Sequence, residues 1–87
     1  MLGDPGPDRD SVLLVADEPL RDVLLELAIA RGYEPYWFCL PLDAIYCLVR
    51  RGDRIGHALI ESALPWSEEL CGLLAEHYPH VRRILLA

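Results

Sequence analysis

The chain contains no Lys, Asn, Gln or Thr, and all eight of its bases are Arg. Without Lys, any mechanism that needs a lysine from this chain is closed, whether a Schiff base or a lysine-tipped phosphate loop. Glycine-rich phosphate loops and a Gly-x-Ser-x-Gly elbow are also missing, so Ser11, Ser62 and Ser67 have no nucleophile setting. Cysteine is scarce. Cys39, Cys47 and Cys71 are odd in number, 8 and 24 positions apart, and match no CxxC or zinc-finger spacing. They read as buried apolar thiols in a reducing, cytoplasmic compartment. No apolar run approaches the roughly 20 residues of a membrane span. Residues 1–10 hold three Asp, two Gly and two Pro, unlike a basic-then-apolar secretory leader. Positive charge is in deficit, since 14 acids against 8 bases leave a net charge of −6. Nucleic acid and anionic membrane surfaces both call for a positive field, so neither is an expected partner.

What the chain does have is apolar material. Its 87 residues are 53% hydrophobic and 25% charged. This suits one domain with a thin core, burying roughly 60–65% of the unfolded surface. Residues 1–10 are expected to be a flexible tail and 11–87 the domain. The run 12–16 is short, apolar and Val-rich, a strand buried on both faces. Asp17 then Pro19 read as an N-cap and first-turn proline. Leu20, Val23, Leu24 and Leu27 follow as one helical stripe, stopped by Gly32. Tyr36-Trp37-Phe38-Cys39 favours a strand, and Pro35 places it at an edge. A helix over 41–51, closed by Gly52, a buried-type strand over 57–61, a helix capped by Ser67 and ended by Pro79, and an apolar strand over 81–87 complete the order. Alternating β and α units with short connections call for a parallel sheet with right-handed crossovers.

In open parallel sheets, reactive groups gather at the carboxyl ends of the strands. The first strand ends in Ala16-Asp17-Glu18-Pro19, the third in Glu61 with Pro65 four residues on, and the fourth in Ala87. This pattern resembles the receiver domain of bacterial two-component response regulators, over residues 11–87. The resemblance implies a flavodoxin-like, three-layer fold. Its four-stranded parallel sheet would have the order 2-1-3-4, with three crossover helices and without the family's last strand and helix. It places Ala16 and Asp17 at the acidic pair that helps hold Mg²⁺, Ala16 standing where the first acid would be, with Glu18 beside them in the same first-strand motif. Glu61 falls where the phospho-accepting Asp would be, and Ala87 at the Thr/Ser position.

The departures weigh on the chemistry. Phosphoryl transfer to a carboxylate depends on positioning and on a divalent ion. Ala16 removes one carboxylate, Glu61 shifts the nucleophile by a methylene, Ala87 lacks the hydroxyl, and no Lys is present. The expectation is therefore a non-catalytic pseudo-receiver that is not phosphorylated and holds no cofactor. The alternative is a phospho-accepting receiver using Mg²⁺ on Asp17 and Glu61. Asp17 is read first as a helix cap, and Glu61 first as a polar strand end rather than a fixed mimic of a phosphoryl group.

Other candidates have plainer readings. Cys71 and His77 are six residues apart on one helix and His80 lies beyond Pro79, a poor zinc set. Arg50, Arg51 and Arg54 sit near a helix C-terminus, where they meet its negative dipole end. With strand order 2-1-3-4, the fourth strand becomes an edge whose Ile84, Leu85 and Leu86 lack protection. The sheet face beside the first helix would be left open. A homodimer is expected to bury both, with another signalling protein as the alternative partner. Arg82 would sit at its rim, and Trp37 on the opposite edge is a further contact candidate. The expected function is bacterial signalling or regulation by protein–protein contact.

Overall fold

The computed structural model describes residues 10–87, so the expected tail lies outside the described residues apart from Asp10. Strand β1 (Ser11–Val15) is buried at all five positions. This is what a continuous apolar run requires when it has a strand on each side and helices on both faces. Its neighbours are β2 (Glu34–Phe38) and β3 (Ile55–Glu61), and β4 (Arg82–Leu86) lies beyond β3. All pairings are parallel and the order is β2-β1-β3-β4, the flavodoxin-like arrangement expected. Pro35 sits in β2 level with Val12, on an edge strand that tolerates a missing donor.

Three helices make the crossovers: α1 (Leu20–Ala30), α2 (Pro41–Arg51) and α3 (Ser67–His77). Helix α1 stops at Gly32, which takes φ +83°, a left-handed conformation that suits glycine. There the Gly32 and Tyr33 amides donate to Ile29 and Ala28 carbonyls at 3.0 Å each. Gly52 was expected to act likewise, but its backbone is right-handed and the chain continues into a 3-10 turn over Gly52–Arg54. Its smallness serves packing instead, because a Cβ there would run into the Tyr78 ring.

The two faces of the sheet are unequally covered. On one, Leu13, Val15, Ala58 and Ile60 pack against Ala44, Leu48, Leu70 and Leu74 of α2 and α3. On the other, among the described residues, α1 alone lies over β1 and β2, and the buried set is Val12, Leu14 and Ala28, flanked by Leu24, Leu25 and Leu59. The expected α1 stripe is consequently split. Leu24 packs inward, while Val23 and Leu27 are 53% and 46% exposed. That side of the helix looks along the sheet towards β3 and β4, where no helix stands among the described residues.

Two expected caps are corrected. The Asp17 carboxylate accepts the amide of the next residue, Glu18, at 2.9 Å, and the N-cap position of α1 is Pro19. The Ser67 hydroxyl donates to the Ser62 carbonyl at 2.9 Å, and the N-cap of α3 is Trp66, at φ +64°.

Candidate functional site

Two regions carry the candidate residues. The first is the carboxyl end of the sheet, where β1 delivers Ala16 and Asp17 and β3 delivers Glu61. The fold brings Asp17 and Glu61 together, through backbone and carboxylate: the Asp17 amide donates to Glu61 Oε1 at 2.9 Å. Each carboxylate therefore accepts a backbone N–H, a charge-assisted bond that ties the end of β3 to the turn after β1. Glu18 is drawn away to Arg21, Oε2 to Nη2 at 2.7 Å. Ala16 is fully buried, its amide donating to the Phe38 carbonyl. Ala87 follows β4 and is exposed, with no hydroxyl to offer. Among the described residues, no three His, Cys, Asp or Glu side chains are grouped to hold a metal ion.

Sequence reasoning missed Arg21. Its guanidinium bridges Glu18 and Asp22 and donates to Cys39 Sγ at 2.7 Å, with 16% of the side chain exposed. An i, i+3 spacing to Glu18 was the one available signal; the contact with Cys39, on the far side of β2, had none. Cys39 itself corrects the expectation of three buried thiols, because it lies in the bend after β2 and is exposed. Cys47 is buried, and burial pushes its pKa up against the opposing pull of Arg51. Partial burial raises that of Cys71 too, with Arg83 opposing. Both favour the neutral thiol.

The remaining candidates stay apart. His80 Nε2 is 2.7 Å from the Gly52 carbonyl oxygen, while His77 is exposed near Glu76. Arg50 lies over the Tyr46 ring at 5.5 Å and Arg51 over the Tyr36 ring at 5.3 Å. These are cation–π contacts beyond the expected dipole effect.

The second region is the open side of the α1 face. Along it runs an apolar groove of about 180 Å³, floored by Val12, Leu14 and Leu59 and walled by Leu24 and Leu27. Arg31, Tyr33 and His57 close one end, with the Tyr33 and His57 rings edge-to-face at 5.9 Å. Register partners share a face in a parallel sheet, which places further residues. Arg82 is level with His57, Ile84 with Leu59 and Leu86 with Glu61, so all three β4 residues extend this same face. Ile84 is 39% exposed and Leu86 half-buried. Leu85 points to the α2–α3 face, 51% exposed, and Trp37 lies at the β2 edge, level with Leu14. The expected contact set thus divides: Arg82, Ile84 and Leu86 extend the groove face at β4, Trp37 shares that face with Leu14 but at the β2 edge and outside the groove lining, and Leu85 lies on the opposite face.

No protein-family model matches the chain, no curated protein matches it, and no solved structure matches it. Among the described residues no helix is long and apolar enough to cross a membrane.

Proposed function

We propose that this chain is a non-catalytic pseudo-receiver, an interaction module that works in cytoplasmic signalling by pairing with a second copy of itself. The observation that carries the reading is the half of the α1 face that no described helix covers. Leu27, Ile84 and the groove floor form a continuous apolar surface at a place where a three-layer fold would ordinarily set another helix. A surface of this kind is costly in water and is relieved by association.

The carboxyl-end geometry is in keeping with an absence of phosphoryl chemistry. Glu61 spends one oxygen on the Asp17 amide, Ala16 offers no carboxylate, and Ala87 no hydroxyl. Glu61 reads as a structural clasp between strands.

The test is the solution mass of the full chain, by light scattering on a gel-filtration peak across a dilution series. A dimer that dissociates only on dilution supports the reading. A monomer throughout overturns self-association and turns the search to a heterologous partner.

A further inference from the structure

The groove on the α1 face is hydrocarbon along its length and polar at one end only. Val12, Leu14 and Leu59 floor it, and Leu24 and Leu27 wall it. The polar side chains that line it, Arg31, Tyr33 and His57, stand together at the amino end of the strands. Each of the three can donate a hydrogen bond. Arg82, level with His57 on the same face, puts a second guanidinium near them. Neither arginine forms an ion pair among the described residues. Asp10, two places before Val12, is an acid at that end, and the two arginines outnumber it. At the other end of the face stands Glu61, level with Leu86 and beyond the groove lining.

We infer that the groove binds a free medium-chain carboxylate, a fatty-acid anion whose head meets Arg31 and whose alkyl tail lies along Val12, Leu14, Leu27 and Leu59. A guanidinium matches a carboxylate with two parallel hydrogen bonds, and Tyr33 and His57 can add donors from the sides. The tail takes the place of water over apolar side chains, which is favourable in proportion to the area covered. Glu61 repels the head from the carboxyl end, so charge sets one orientation.

Size limits the ligand. At about 180 Å³ the groove falls below the roughly 300 Å³ where drug-sized pockets begin, which calls for a small, slender molecule. Its α1 wall runs from Leu24 to the Arg31 cap, about 10 Å by the helical rise. A cationic amphiphile of the same length would bring like charge to Arg31 and Arg82. A bilayer is a poorer source than the free acid, because the chain's net charge of −6 repels anionic lipid headgroups. The inference goes beyond self-association and does not rest on it. Ligand and second copy use one surface, so where the chain pairs, the carboxylate competes with pairing.

An amide chemical-shift titration of the full chain by NMR tests this, with octanoate kept below its micellar concentration. Shifts are expected to centre on Val12, Leu14 and Leu59 and to saturate at one molecule per chain. Octyltrimethylammonium, with the same tail and the opposite charge, is expected to bind about tenfold or more weakly, having lost the charge-assisted bonds. Butyrate is expected to bind far more weakly than octanoate, with little tail to bury. Arg31→Gln is expected to weaken octanoate about tenfold, and Leu27→Glu, which sets an acid beside the tail, to abolish binding. Circular dichroism checks that both variants fold. No binding at millimolar octanoate, shifts centred away from the groove, equal binding of the cationic amphiphile, or wild-type affinity in either variant would each overturn the site. The readout is binding per chain, so it stands or falls separately from the solution mass that tests self-association.

Discussion

A Cβ at position 52 would overlap the Tyr78 ring, so Gly52 holds α3's exit against the end of α2 by having no side chain. Gly52→Ala is expected to cost about 1–3 kcal/mol, as overpacking does. Urea denaturation checks it, and most of the penalty is expected to vanish in a Tyr78→Leu background. Single residues were where sequence reasoning was least secure. Asp17 and Ser67 have the chemistry of caps, and their oxygens do form local bonds, but to Glu18 and Ser62 rather than to the helix starts. Cys39 has a buried residue's composition and an exposed position, because it falls one place past the end of β2. In each case a shift of one or two residues in the turn decides the outcome, and turn geometry is set by what the chain packs against.

At the scale of the elements, the two helix-associated glycines outside that contact have opposite roles. Gly32 takes a left-handed backbone to end α1, whereas Gly72 sits inside α3 with open space where a Cβ would go. Gly32→Ala is expected to lose about 1 kcal/mol or more, and Gly72→Ala to gain up to about 1 kcal/mol. Thermal denaturation of the two variants tests both signs. Helix and strand positions were largely legible. The apolar run of β1, Pro35 at the β2 edge and the Gly32 stop all stand where their patterns place them. The α1 stripe was legible as a stripe but not as a buried one. Periodicity reports which side of a helix is apolar, and says nothing of whether a partner covers it.

For the whole molecule, the unequal faces matter most. Among the described residues, the α2–α3 face carries the larger core, and the α1 face is half open. If association closes it, stability and association are linked, and the melting temperature should rise with protein concentration. Differential scanning calorimetry over a hundredfold range of concentration is the check. In Leu27→Glu the dependence is expected to disappear. Wild-type melting independent of concentration would count against the dimer as strongly as a monomeric mass.

The class of fold was legible from residue pattern alone. Alternating short apolar runs and amphipathic stretches, joined by tight links, leave a parallel sheet with crossover helices as the economical way to bury them. The pattern also determined which residues reach the carboxyl end, because strand ends carry Asp17 and Glu61 there whatever the details. What those carboxylates do came from the folded arrangement, since the Asp17 amide and Glu61 are 44 positions apart in sequence and meet by strand pairing. That arrangement alone decided that Arg31 and Glu61 mark opposite ends of one apolar face. Local pattern fixes an element's period, whereas register and crossover direction fix which side chains share a surface.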